Sequence, residues 1–244
     1  KPVLRGRDIK PYVNTESFIY LILLEKGFTN KNSPIKNETG GWKWLQQTYP
    51  GIAEWLSQFK NDGQNRPSKG DYWWEITTNN CEEKFCKPKI MYQTFQVKPC
   101  FLYDDSGLYC NNSMWIIPTD DKSLLGILNS KMGWWLISKY CTAIQNGYQL
   151  IWKYFGKIPI PAKNNNGLQP IVIHDRLVSL VDQMLETQKE YYAMRTDDCL
   201  SRAQPRGNRR FIKQKIDILY KQIDGLVYEL YGLTEEEVKI VENK

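Results

Sequence analysis

Ten residues, Asn65-Arg-Pro-Ser-Lys-Gly-Asp-Tyr-Trp-Trp74, place two cations just ahead of an aromatic doublet. Arg66 and Lys69 fall on a loop, and loop cations of this kind reach phosphates or guanine edges. Arginine is the better reader of a base, because its planar fork bonds guanine O6 and N7 together. Trp73 and Trp74 can pack on sugar, phosphate or base faces, or they can build a core. The chain holds nine Trp and fifteen Tyr, so most of these rings must serve the core.

Catalytic chemistry finds little support. There is no G-x-S-x-G, no P-loop and no G-x-G-x-x-G. A metal-dependent nuclease would need a P-D…(D/E)-x-K cluster, and none is written in the chain. The single His174 stands beside Asp175 near the start of a predicted helix, where a solvent-facing or capping role is expected rather than that of a general base. Asp104-Asp105 and Asp197-Asp198 suit turn and helix-end chemistry. Six cysteines include one C-x4-C pair, Cys81 and Cys86, the nearest approach to a metal pair, and reduced thiols are the simpler reading. The expectation is a chain with no metal and no cofactor of its own.

Charge is uneven along the chain. Residues 1–171 hold 21 Lys/Arg against 14 Asp/Glu, whereas residues 172–244 hold 12 against 13. The back part still carries a local cationic run, Arg202, Arg206, Arg209, Arg210, Lys213 and Lys215, without an acid between Cys199 and Ile216. A basic surface attracts phosphate by counterion release, and it also simply solubilises; charge alone does not decide between the two. Hydrophobic residues at 41% and charged residues at 25% describe a globular chain. No apolar run reaches the roughly 18 residues of a membrane span, and no signal peptide is recognisable, so a cytoplasmic protein is expected. The start at Lys1 without a methionine reads as a piece of a longer protein.

The elements that position these residues follow from periodicity. Phe18 to Leu24 is predicted to be a buried strand, and Gly40-Gly41 and Asn61-Asp-Gly63 to be loops. Tyr49 to Phe59 has helical spacing, with Pro50 in the first turn. Strands are expected at 89–97, 101–103 and 114–117, with a turn at Asp104-Asp-Ser-Gly107 and a helix over 123–130. Ile158-Pro-Ile-Pro161 cannot be regular helix, and Asn164 to Gly167 reads as a loop. Beyond it, Leu177, Val181, Met184, Gln188 and Tyr191 form one heptad-like seam, and Ile212, Ile216, Leu219, Ile223, Leu226 and Leu230 form another. Two antiparallel helices, each about 36 Å long, would be joined by the basic loop. Gly232 is placed to end the second helix, and Thr234-Glu-Glu-Glu237 fits a capping box.

Several segments resemble, in order, the TaqI-like C-terminal specificity domain of adenine-specific DNA methyltransferases and of fused restriction–modification enzymes. They are Lys1-Pro-Val-Leu-Arg-Gly-Arg-Asp-Ile-Lys-Pro-Tyr12, Tyr49-Pro-Gly-Ile with Leu56, and Arg66 with Trp73-Trp74-Glu75. Lys87-Pro-Lys-Ile90, Leu124-Leu-Gly-Ile-Leu-Asn-Ser-Lys131, Ile158-Pro-Ile-Pro161 and Ile223 through Glu237 continue the series. The resemblance implies an α+β chain: a β-rich target-recognition domain over 1–165, then a helical spacer or docking region over 168–244. It implies a partner, double-stranded DNA, and an upstream methyltransferase domain on the same parent chain. That domain would use S-adenosylmethionine on adenine N6, and the resemblance admits an endonuclease on the parent as well. Its N-P-P-Y-type motif does not occur in this chain, so the chain alone is not expected to be an enzyme. Expected DNA contacts are Arg5, Arg7, Lys10, Arg66, Lys69, Lys87 and Lys89, with Trp73 or Trp74 packed against them. Arg5 and Arg7 also admit a structural role, Arg7 pairing with Asp8 or another acid. The rival expectation is a protein-interaction module whose helices dock a partner subunit.

Overall fold

The computed structural model describes residues 1–14, 19–77, 81–162, 168–196 and 206–243. In chain order the first elements are β1 (Pro2–Leu4), a 3-10 turn (Gly6–Asp8), β2 (Ile9–Lys10), β3 (Val13–Asn14) and β4 (Ile19–Tyr20). Five short helices follow, α1 (Phe28–Asn32), α2 (Glu38–Thr48), α3 (Pro50–Ser57), α4 (Lys60–Asn65) and α5 (Cys81–Cys86). Then come β5 (Lys89–Gln93), β6 (Phe95–Gln96), β7 (Phe101–Asp104), β8 (Tyr109–Cys110), β9 (Met114–Pro118), α6 (Lys122–Asn129) and α7 (Lys131–Tyr140). A hairpin of β10 (Thr142–Ile144) and β11 (Gly147–Gln149), then α8 (Trp152–Phe155), α9 (Leu168–Thr196), α10 (Arg206–Tyr231) and α11 (Glu235–Glu242), complete an α+β chain. No helix among the described residues is long and apolar enough to cross a membrane.

The chain divides into a small unit, Lys1–Val3 with Ile19–Cys86, and a large unit, Leu4–Phe18 with Lys87–Lys244. The small unit is built on aromatic rings. Leu24, Leu45, Ala53, Tyr72, Trp73 and Trp74 form its core, with Ile22, Phe28, Trp42, Trp44 and Leu56 packed on them. Tyr72 and Trp74 stack at 4.8 Å between centroids, and Trp42 lies 4.9 Å from Trp73 and 5.1 Å from Trp74. The Glu75 carboxylate is fully buried and accepts the backbone N–H groups of Gly27, Thr29 and Asp71 at 3.1, 2.8 and 3.0 Å.

Two expectations for this region need correction. Residues 40–41 and 61–63 lie inside α2 and α4, not in loops. Asn37 caps α2 by accepting from the Gly40 N–H at 2.8 Å. Gly41 is required by closeness: a Cβ there would sit 2.8 Å from Thr29 Cγ2 and 3.4 Å from the Trp74 ring. Of the predicted buried strand over 18–24, residue 18 lies outside the described residues, the strand itself is Ile19–Tyr20, both exposed, and Leu24 is buried in the core with Ile22 packed on it. α3 begins at Pro50 as expected.

In the large unit β5 is the central strand between β7 and β9, antiparallel to both. Its side chains alternate between two cores, as strand geometry requires. Ile90 and Tyr92 face the helices, while Met91 faces Leu4, Ile9, Leu102, Leu108 and Met114. Asn129, at the end of α6, clamps β7: its Nδ2 donates to the Phe101 carbonyl at 2.9 Å and its Oδ1 accepts the Phe101 N–H at 3.0 Å. The heptad seams are present, with Leu177, Val181 and Met184 fully buried and Ile212, Ile216, Leu219, Ile223 and Leu226 at 0–7% exposure. The helices run antiparallel, since Arg209 near the start of α10 lies over the Tyr191 ring near the end of α9. Both helices join one core with the strands, so the large unit carries sheet and hairpin together. Gly232 ends α10 at φ 65°, and Thr234 and Glu237 form the expected capping box, the Thr234 N–H donating to Glu237 Oε2 at 2.8 Å. Residues 164–167, the loop 197–205 and Asp197-Asp198 lie outside the described residues. His174 departs from expectation: it is buried, with Nδ1 3.0 Å from Ser123 Oγ, which ties α9 to α6.

At one end of the sheet Lys89 is fully buried and donates to Asp104, its cross-strand partner. Burial raises the Asp104 carboxyl, but hydrogen bonds from Lys89 and Ser106 and the Lys89 charge outweigh it and hold the group below its ordinary value. The pair's contribution is therefore complete above the unfolded aspartate range and is lost as pH falls through the lowered folded value. Lys89→Met should cost about 3–5 kcal/mol of unfolding free energy, because Asp104 stays buried without its cation. Adding Asp104→Asn should recover part of that loss in urea titrations.

Candidate nucleic-acid interface

The residues proposed from sequence separate by what already claims them. Trp73 and Trp74 are 4% and 5% exposed and belong to the small unit's core, so neither ring is on offer to a ligand. Their doublet spacing is met by an edge-on pair, 5.4 Å between centroids, rather than by one ring in and one out. Arg66 is half-buried and donates through Nη2 to the Glu75 carbonyl. Exposed Lys69 donates to the Gln64 carbonyl at 2.7 Å. Lys87 is exposed, whereas Lys89 is sealed into its pair with Asp104. Trp73, Trp74 and Lys89 are therefore withdrawn as contact residues: burial and prior bonding leave them no surface.

Arg5 and Arg7 have different fates within three residues. The 3-10 turn brings Asp8 back to Arg5, whose Nε and Nη2 donate to the carboxylate at 2.7 and 3.1 Å while the Arg5 N–H donates at 3.1 Å. The Arg5 hydrogen bonds hold the buried Asp8 carboxyl below its ordinary value. This lock turns Arg7 outward, and Arg7 is exposed. The two arginines line an open cleft of about 560 Å³ with Gly6, Gln93, Phe95, Asn111 and Ser113, all from the large unit.

Each of these groups is held by local bonding. Gln93, at the end of β5, donates through Nε2 to the Gly6 carbonyl, which ties the turn to the sheet. Ser113 Oγ donates to Asn111 Oδ1 at 2.7 Å, and the Ser113 carbonyl accepts both the N–H and the Oγ1 of Thr94 at 3.0 Å. Phe95 stands 56% exposed; Val97 and Trp115 are exposed as well, and Trp115 donates to Thr94 Oγ1 at 3.1 Å. Lys10, half-buried on β2, and Lys98 both bear electrostatically on Cys100. Burial nevertheless pushes the Cys100 thiol up to about 11, which denies it a nucleophile's role. A guanidinium fork, side-chain amides and an exposed ring in one cleft suit phosphate anchoring, base-edge hydrogen bonding and packing on a sugar or base.

Sequence reasoning named Arg5, Arg7 and Lys10, which the structure places in the large unit, and did not name Gln93, Phe95, Asn111 or Ser113, which line the cleft with the two arginines. Gln93 and Phe95 stand in a strand-rich run in which nothing separates an exposed phenylalanine from a core one. Asn111 and Ser113 read as ordinary turn residues.

An α+β body presenting an open, arginine-lined cleft has the build of a recognition domain. The model of the TaqI-like C-terminal specificity domain matches residues 1–160, and the chain belongs to that family. It is a target-recognition domain of the restriction–modification type. A solved structure described as the type IIL restriction-modification enzyme MmeI in complex with DNA is similar at 13% identity and TM-score 0.44. The match covers 83% of this chain and 24% of that one, so this chain spans about a quarter of that enzyme's length.

The division between core ring and surface cation is measurable. Trp74→Ala should lower unfolding free energy by about 3–5 kcal/mol. Arg7→Ala should stay within about 0.5 kcal/mol of the parent in the same urea titrations, as a surface change does. An Arg7 variant as unstable as the Trp74 variant would place Arg7 in the packing rather than on the surface.

Proposed function

We propose that this chain recognises a specific sequence in double-stranded DNA and does so through the cleft of the large unit. The observation that carries the reading is the Arg5–Asp8 lock beside exposed Arg7, in a cleft that Gln93, Asn111 and Phe95 also line. Arg7 supplies a cation for phosphate or a fork for guanine, and the amides of Gln93 and Asn111 supply paired donor and acceptor groups for base edges. Lys10 and Lys98 add sequence-independent attraction for the backbone.

The chemistry belongs elsewhere on the parent polypeptide. A methyltransferase domain bearing S-adenosylmethionine would methylate adenine N6, and this chain would hold the duplex while the target base leaves the stack. The similarity of the segments quoted above to specificity domains of adenine-specific methyltransferases supports this finer reading.

A second surface fits the docking of that domain. Phe211 and Ile218, seven residues apart on α10, are 66% and 56% exposed, with exposed Arg210, Lys213 and Lys215 nearby. The seam residues of α9 and α10 are used within the hairpin, so any partner must meet this outer face.

Fluorescence anisotropy of the chain on labelled duplex at several salt concentrations tests the main reading. Affinity should fall steeply with salt, and Arg7→Ala should lower the slope of log K against log salt by about 1 if it meets a phosphate. Affinity that is absent at low salt would remove DNA as the ligand of this surface and favour docking through α10.

A further inference from the structure

The strand pairing places a second element beside the cleft. β10 and β11 pair as Thr142↔Gln149, Ala143↔Tyr148 and Ile144↔Gly147, which leaves Gln145 and Asn146 as a two-residue turn. β11 in turn pairs with β6, Gln149 opposite Phe95 and Tyr148 opposite Gln96. The hairpin is thus bonded to the strand that carries the exposed ring of the cleft. It is held closely: a Cβ on Gly147 would lie 2.1 Å from the Gln96 carbonyl oxygen, and the Tyr148 ring meets Trp134 edge-on at 5.1 Å. Gln145 and Asn146 are both exposed.

The turn residue is unusual for its backbone. Gln145 has φ 46°, in the left-handed region that hairpin turns normally give to glycine or asparagine. A long side chain kept there, at a conformational cost, points to a use for that side chain. The surrounding charge agrees. No acid occurs between Asp121 and Asp175, a stretch that includes the whole hairpin. Lys139, Lys153 and Lys157, which flank it in sequence, are exposed. The tip is thus uncharged, and the segments on either side of it in sequence carry exposed cations. A two-stranded ribbon of this kind fits a major groove about 12 Å wide, and a side-chain amide can bond adenine N6 and N7 together.

We propose that the β10–β11 hairpin is a base-reading element, with Gln145 and Asn146 entering the major groove and their amides reading adjacent base edges, adenine foremost. The proposal rests on the reading of the chain as a DNA-recognition domain. It divides the labour within the large unit: Arg7 and the lysines grip, and the uncharged hairpin tip discriminates.

Selection of the chain against a random duplex pool at low salt, repeated with Gln145→Gly, Asn146→Ala and the double variant, tests this. Gln145→Gly relieves the left-handed backbone while deleting the amide, so it should fold at least as stably as the parent. The parent should enrich a short motif. The double variant should keep its affinity for scrambled duplex while the ratio of selected to scrambled binding falls tenfold or more, with preference lost at one or two adjacent positions. A motif enriched equally by parent and double variant overturns the hairpin's role and leaves DNA recognition standing. DNA bound by the parent without any enriched motif likewise overturns the hairpin as a reader. A parent that binds no duplex at low salt overturns the DNA reading itself, and the hairpin's role with it.

Discussion

The Lys89–Asp104 pair is the constraint from which the large unit's order follows. Lys89 opens the central strand, and its ammonium is fully buried, so its carboxylate must stand directly across on β7. A one-residue slip would leave both charges unpaired and move every side chain of β5 to the opposite face. The same carboxylate accepts the Ser106 and Leu108 N–H groups at 3.2 and 3.0 Å, so the turn that follows β7 is held by the same atoms. With register set at this end, β5 runs four residues to Gln93, opposite Met114, and delivers Gln93 to the Gly6 carbonyl. Such a pair adds little net stability compared with well-packed apolar residues, but breaking it on one side is costly. Its value here is register, and the cleft inherits that register.

What the sequence disclosed depended on the range of the interaction involved. The seams from Leu177 to Tyr191 and from Ile212 to Leu230, the capping box at Thr234 and the stop at Gly232 are local patterns, and the structure contains them. The strands at 89–93, 101–104 and 114–118 declared themselves through β-branched and aromatic composition. The small unit resisted reading because its glycines serve close approach, not turns: Gly41 lies against Thr29 and Gly63 against Trp73, contacts made only in the folded state. His174 misled for the same reason, since its partner Ser123 lies 51 residues away.

The candidate contact residues show a sharper version of this limit. Cations are easy to find in a sequence, but their availability is set by neighbours that composition does not reveal. Lys89 is taken by a carboxylate 15 residues on, and Arg66 by a carbonyl nine residues on. Even the local case divided unexpectedly. Arg7 adjoins Asp8 in sequence, yet a 3-10 turn places residues three apart over one another, so Arg5 takes the carboxylate's hydrogen bonds and Arg7 acts on it through charge alone. Of the two arginines, the fold bonds one to the carboxylate and leaves the other exposed.

That division also bears on how such a surface could discriminate between sequences. Attraction between exposed cations and phosphate is strong but blind to sequence, and adding lysines to a surface raises affinity for every duplex alike. Discrimination needs groups that gain nothing from phosphate and lose much when a base edge is mismatched, which describes neutral amides held at fixed positions. In this molecule neutral groups are held in place: Gln93 by the Gly6 carbonyl, Asn111 by Ser113, and the Gln145–Asn146 turn by a strand docked where no side chain fits. Of the exposed lysines that flank the hairpin in sequence, Lys139 lies over the Trp135 ring and Lys153 over the Tyr154 ring, contacts that leave their charge toward solvent. Fixed neutral amides beside exposed cations are the arrangement expected where grip and selection are separate tasks.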